Sequence, residues 1–186
     1  MPKPILFLDF DRTLFDTERL YEWLGGGPES ALLEGKAGDP DLASMLYPDV
    51  LPFLKKAQHV YRLVLLTSTM NLSVQKKKVH GIGITPYFND IIMVEGSIGN
   101  YSNKGSAIKK YLHKPDIAPV GHVFVDDIQE FISEAKGLNP QVRCIRIVRS
   151  RRDREVLSDE LLPPDDVVTT LPELLALLHV EPSGEW

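Results

Sequence analysis

The chain has a single cysteine, Cys144, so no disulfide can form within it and no thiolate cluster can hold a metal. Its five histidines are scattered, with no metal-ligand spacing among them. No apolar run approaches the roughly 20 residues of a membrane span. The apolar stretch of the opening MPKPILFLDF is too short for a signal peptide, and charge interrupts it at Asp9. Positive charge is in deficit. A formal net charge of −5 gives no global electrostatic reason to bind nucleic acid or an anionic membrane. Internal repeats and low-complexity tracts are absent as well. These absences leave a soluble cytoplasmic protein as the expectation, with no membrane or nucleic-acid partner and nothing that points to an oligomeric one.

What is present is ordinary in bulk. With 186 residues and 43% apolar content, the chain can build one domain with a sizeable core and a small insertion. Short runs rich in Val, Ile, Leu and Phe at Pro4–Asp9, Arg62–Thr67, Asp90–Val94, His122–Asp126 and Val142–Val148 predict buried strands of a parallel sheet. Helical patterns lie between them: Pro48–His59, Asn71–His80, Ser102–His113 and Ile128–Lys136, with Leu171–Leu178 as the last. Strands alternating with helices predict an α/β fold, a three-layer, doubly wound parallel sheet over residues 1–186. Residues 16–47 break the rhythm. Leu20, Trp23 and Leu24 fall at helical spacing, as do Leu42, Met45 and Leu46, and Gly25, Gly26 and Gly27 part the two groups. This segment reads as a small helical cap insertion just after the first strand.

The most informative string is ILFLDFDRTL, where an apolar run ends in Asp9 and Asp11. Carboxylates at the end of a buried strand are costly unless a metal, a nucleophile or an acid–base pair needs them. The C-terminal ends of strands are also where open α/β sheets keep their ligands. Three further positions match: Thr67 ends the second strand, Lys104 begins a helix, and Asp126 and Asp127 end the fourth strand. A parallel sheet gathers them on one edge. Asp9, Asp126 and Asp127 together carry −3 and need a cation. Hard oxygen donors without thiol or imidazole suit Mg²⁺. With Lys104, that cation brings the edge near neutrality, ready for a dianionic phosphate.

The four motifs DFDRT, the Thr67 of LLTST, Lys104 and the VDD of HVFVDD together resemble the haloacid dehalogenase-like hydrolase superfamily, in its order and across essentially the whole chain. The closing DDVVTTLPELLALL resembles that family's last strand and helix. The resemblance implies an Mg²⁺-dependent phosphatase working through an aspartyl-phosphate. Asp9 matches the nucleophile. Asp11 matches the general acid–base, expected to hold a proton when a small phosphorylated substrate arrives. Thr67, with Ser68 beside it, and Lys104 match the phosphate-holding groups. The metal positions are Asp9, Asp11 through its backbone carbonyl, Asp127 and Asp126, and Thr13 braces the turn by hydrogen bonding.

A phosphomutase would use the same intermediate but needs cap cations, and the insertion offers only Arg19 and Lys36. A non-catalytic phosphate-binding or signalling module is a further alternative, but in phosphoacceptor receiver domains the acidic pair precedes the acceptor aspartate, the reverse of the order here. Dehalogenation has no use for such a metal site. Arg12 stands where many relatives carry a small residue, and points either to solvent or toward the site. The run Arg149, Arg151, Arg152 and Arg154 is expected to be a solvated loop, and Cys144 a buried apolar group.

Overall fold

The computed structural model describes residues 2–34, 40–96, 103–117, 120–149 and 160–179. Six strands make one sheet: β1 (Ile5–Leu8), β2 (Arg62–Thr69), β3 (Asp90–Glu95), β4 (Val123–Asp126), β5 (Arg143–Ile147) and β6 (Asp166–Val168). Their order is β3-β2-β1-β4-β5-β6, and every neighbouring pair is parallel. The order reverses at β1, whose neighbours are β2 and β4. That reversal opens a crevice beyond the strand ends, the usual ligand site of such sheets.

Seven helices join or flank the strands: α1 (Thr17–Trp23), α2 (Ala31–Glu34), α3 (Val50–Val60), α4 (Leu72–Gly81), α5 (Lys104–Leu112), α6 (Gln129–Leu138) and α7 (Leu171–Leu177). The pleat sorts β1 into two cores. Leu6 and Leu8 pack with Val50, Phe53, Leu54, Leu171 and Leu174 of α3 and α7. Ile5 and Phe7 pack with Ile108, Tyr111, Phe131 and Ile132 of α5 and α6. Each of these side chains stabilises the fold by about 1.5–3 kcal/mol on full burial. Both faces of the central strands are covered, which is why their sequences show no polar alternation.

Element ends differ from the sequence expectation by at most two residues, for local reasons. The helix expected to stop before Gly137 runs on to Leu138 and is closed by Asn139. The Asn139 Nδ2 donates to the Ala135 and Gly105 carbonyls, at 3.1 and 2.9 Å. Gly105 lets α5 lie close to α6, where a Cβ would meet Glu134 at a tight 3.0 Å. The expected cap Ser102 lies outside the described residues. The helix starts at Lys104 after Asn103, whose amide donates to the Glu95 carbonyl at 2.9 Å.

Between Asp16 and Tyr47 the described residues form no strand beyond a single antiparallel bridge of Phe15 to Leu46. Asp16 caps α1 by accepting from the Arg19 amide. Gly25 and Gly26 end that helix with φ of 60° and 80°. Leu20, Leu32, Leu42 and Met45 bury themselves in the same core as Phe10, Leu14 and Phe15, so the segment is packed against the sheet. Trp23 instead stays exposed. Arg19 donates to the Ser44 carbonyl, and Lys36 lies outside the described residues.

Arg149 alone of the arginine run lies among the described residues, and it is not solvated as expected. The Arg149 side chain is 6% exposed, pairs with both carboxylate oxygens of Asp49 at 3.0 Å, and donates to the Thr13 carbonyl at 2.9 Å. Its guanidinium also lies over the Tyr47 ring. Asp49, fixed in turn by the Leu171 amide, offers two aligned acceptors, which a planar guanidinium fits better than water does. Arg151, Arg152 and Arg154 lie outside the described residues. Cys144 is fully buried, and burial pushes its thiol up to about 12. No helix among the described residues is long and apolar enough to cross a membrane.

Candidate active site

β1 ends at Leu8, and the Asp9 amide adds one last ladder bond to the Val125 carbonyl at 3.0 Å. The chain then turns tightly. The amides of Leu14 and Phe15 both donate to the Phe10 carbonyl, and Arg12 adopts a left-handed conformation with φ of 58°. A non-glycine residue there carries a strain of about 1–3 kcal/mol, a kind of outlier that concentrates at functional sites. The turn, rather than strand alternation, therefore sets where Asp9 and Asp11 point.

Asp9 lies 4% exposed at the mouth of the crevice. Lys104, the first residue of α5, is 1% exposed and reaches between two carboxylates: 2.5 Å to Asp9 Oδ1 and 2.6 Å to Asp126 Oδ2. The ammonium also lies 4.5 Å from the centre of the Phe131 ring. Asp126 Oδ1 accepts from the Ile128 amide, which fixes the turn after β4. Asp127 is 5% exposed, and Asp9, Asp126 and Asp127 each bring one carboxylate oxygen within 4.8 Å of the others. The second oxygen of Asp9, Oδ2, is buried without a hydrogen-bond partner among the described residues. Burial pushes the Asp9 carboxyl up to about 7; Lys104 opposes this and Asp126 adds to it. Burial also raises Asp126, against Lys104. Lys104 is held above the ordinary lysine range because Asp126 and Asp9 outweigh the cost of burying it. Lys104 thus serves two of the three carboxylates, and one buried oxygen of the cluster has no partner among the described residues. The donor set, all carboxylate oxygen, fits a hard divalent cation.

Asp11 belongs to a different network. Lys78 donates to its Oδ1 at 2.5 Å, the Thr17 hydroxyl to the same oxygen at 2.8 Å, and Gln75 Nε2 to its Oδ2 at 2.8 Å. Burial pushes the Asp11 carboxyl up, but Lys78, with hydrogen bonds from Gln75 and Thr17, outweighs it and holds the group below its ordinary value. In this resting geometry, without substrate, Asp11 is held toward its ionised form. Three donors on two oxygens are the surroundings of a carboxylate, and the lysine that supplies the charge comes from α4, outside the four motifs. Gln75 Nε2 also reaches Thr67 Oγ1 at 2.8 Å, so it couples the end of β2 to Asp11.

Thr67 is fully buried, and Ser68 is half-buried at the wall of a cavity of about 460 Å³. Asp11, Arg12, Tyr21, Glu29 and Asn71 also line this cavity. Thr13 is fully buried, but its hydroxyl has no hydrogen-bond partner among the described residues. The brace expected of that hydroxyl runs instead through the Thr13 carbonyl to Arg149. Arg12 turns toward the site. It donates to Glu18 at 3.2 and 3.0 Å and places Nη1 4.0 Å from Asp127 Oδ2.

The sequence reasoning missed Thr17, Gln75 and Lys78. A signal for two of them was there: Val74 and Val79 mark the inward stripe of α4, and Gln75 and Lys78 fall on that same stripe. The run Lys76, Lys77, Lys78 hides it, because one buried lysine reads like its solvated neighbours.

Neither a protein-family model nor a curated protein matches the sequence. Solved structures do match along nearly the whole chain. A protein from Burkholderia xenovorans LB400, described as a haloacid dehalogenase-like hydrolase, aligns at TM-score 0.72 with 18% identity, over 97% of this chain and 100% of its own. A HAD-hydrolase structure from Bacillus subtilis, bound to magnesium, aligns at 0.65 with 15% identity over 97% and 100%. L-2-haloacid dehalogenase from Xanthobacter autotrophicus aligns at 0.61 with 18% identity over 96% and 99%. The chain has the haloacid dehalogenase-like fold: a parallel six-stranded sheet between helical layers, with an acidic cluster at the reversal of strand order.

Proposed function

We propose that the protein is a hydrolase of the haloacid dehalogenase-like superfamily that cleaves phosphate monoesters through an aspartyl-phosphate on Asp9. The observation that carries this reading is the buried cluster of Asp9, Asp126 and Asp127, with Lys104 between the first two and Asp9 Oδ2 without a partner among the described residues. A carbon-centred displacement needs one nucleophilic carboxylate and no such surplus of negative charge. A phosphoryl group with a cation does need it. Asp9, Asp126 and Asp127, with the Asp11 backbone carbonyl, would hold Mg²⁺, which supplies charge to offset the phosphoryl oxygens and favours the ionised form of Asp9.

In the first half-reaction an Asp9 oxygen attacks phosphorus, the ester P–O bond breaks, and the leaving oxygen takes a proton from Asp11. In the second, Asp11 accepts a proton from water, the water oxygen bonds to phosphorus, and the bond to Asp9 breaks. Asp11 is ionised in the resting geometry, which suits the second half. An arriving phosphate sets negative charge near its carboxyl and raises its proton affinity, which serves the first half. Lys104 and the hydroxyls of Thr67 and Ser68 hold the transferring group, and the segment around α1 and α2 caps the cavity.

The test is hydrolysis of an aryl phosphate with Mg²⁺, with EDTA, and by Asp9→Asn. Turnover that needs both Asp9 and the metal is expected. Undiminished turnover by Asp9→Asn, or no phosphatase activity across a broad ester panel, contradicts the proposal.

A further inference from the structure

Lys78 stands out among the charged residues outside the four motifs. It is 1% exposed, yet it ends a run of three lysines of which Lys76 is exposed and Lys77 half-buried. Its ammonium lies against two aromatic rings, 5.7 Å from the centre of Phe10 and 5.4 Å from that of Phe15. Burying an ammonium is costly, and a lone structural lysine needs only one carboxylate to offset it. Lys78 has two, and they come from different places. One is Asp11, at 2.5 Å, on the turn after β1; the other is Glu29, at 3.1 Å, in the segment between α1 and α2. Both carboxylates line the 460 Å³ cavity, whereas Lys78 sits behind them. The lysine touches no part of the space a substrate would fill. It can act on a reaction there only through the two groups it holds.

We propose that Lys78 is a positioning residue: it fixes the Asp11 carboxylate for proton transfer to the leaving oxygen, and through Glu29 it ties that placement to the segment walling the cavity. The inference rests on the phosphatase reading. The contact to Glu29 makes the seating of the insertion and the aim of Asp11 a single geometric variable. A proton donor displaced by about an ångström can lose a hundredfold in rate. The loss should fall on esters whose leaving oxygen needs a proton and spare those whose leaving oxygen does not.

The experiment compares kcat/KM, which reports phosphoenzyme formation, for ethyl phosphate and para-nitrophenyl phosphate. Lys78→Met is expected to lower the value for ethyl phosphate about a hundredfold and that for the aryl ester by less than about threefold. Lys78→Arg should restore part of the ratio. Glu29→Gln should move the ratio in the same direction by about three- to tenfold, and the double variant should be no worse than Lys78→Met alone. A parallel fall on both esters, an unchanged ratio, or multiplying effects of the two residues overturns the proposal. If Lys78→Met does not fold by circular dichroism, Glu29→Gln decides alone: a shifted ratio supports the link and an unshifted one overturns it. A wild-type protein inactive on both esters, or an Asp9→Asn variant as active as wild type, overturns the phosphatase reading and this inference with it. Asp9-dependent activity with an unchanged ratio overturns only the role of Lys78.

Discussion

Asp9 and Asp11 are separated by one residue in sequence and occupy opposite electrostatic settings. Asp9 shares Lys104 with Asp126, keeps one oxygen without a partner among the described residues, and has its proton affinity raised. Asp11 has Lys78, Thr17 and Gln75 on its two oxygens, and its proton affinity is lowered. The lesson is that a DxD pair is not a unit. The first carboxylate belongs to the sheet edge, where the strand ends supply more negative charge than positive. The second belongs to α4 and the insertion, where a buried lysine satisfies it.

Removing the proposed nucleophile is the largest perturbation. Asp9→Asn should lower kcat/KM on an aryl phosphate by about 10⁴-fold or more, and a loss confined to about tenfold would mean that Asp9 is not the attacking group. Lys104→Met breaks the Asp9 side while leaving Asp11 alone. It strands two buried carboxylates and should cost about 3–5 kcal/mol of unfolding free energy in a urea titration. A loss below about 1 kcal/mol would show that the cluster relaxes readily without its lysine. Arg149→Met serves as a control, because it loosens the far end of the turn through Asp49 and the Thr13 carbonyl. Two or more charged hydrogen bonds are lost, so a cost of about 2–3 kcal/mol is expected, with the aryl-to-alkyl preference unchanged. A changed preference would place the control of Asp11 in the turn rather than in Lys78.

The smallest effect is on metal affinity. Asp9 must be ionised to bind a cation, and its carboxyl is raised to about 7, so protons compete below that pH. Mg²⁺ affinity measured by calorimetry should rise about tenfold per pH unit below neutrality and level off above it. A flat profile between pH 5 and 8, on the order of the window set by that value, would contradict the raised setting of Asp9.

Much of this was legible in the residues. The runs at Ile5–Leu8 and Val123–Val125 are apolar without interruption because both their faces are covered, and that continuity marked the parallel sheet. Lys104 was legible because it follows a loop and opens a helix. Lys78 was not, because burial is a property of the tertiary fold and its neighbours Lys76 and Lys77 carry the same charge. Arg149 was missed for the same reason: its partners, Asp49 and Thr13, are about a hundred residues or more away in sequence. The lowered proton affinity of resting Asp11 was not legible, because its anionic neighbours were visible in the motifs and its cation was not.

The central claim, that Asp9 and not Asp11 receives the phosphoryl group, has a direct test. The protein is mixed with an aryl phosphate and Mg²⁺, quenched during turnover and treated with borohydride, which reduces an aspartyl-phosphate to homoserine. Peptide mass spectrometry then locates the modified residue. The account predicts homoserine at position 9, accumulating further in Asp11→Asn, where water is no longer activated. Homoserine at position 11, or steady turnover with position 9 unmodified in both proteins, would contradict it.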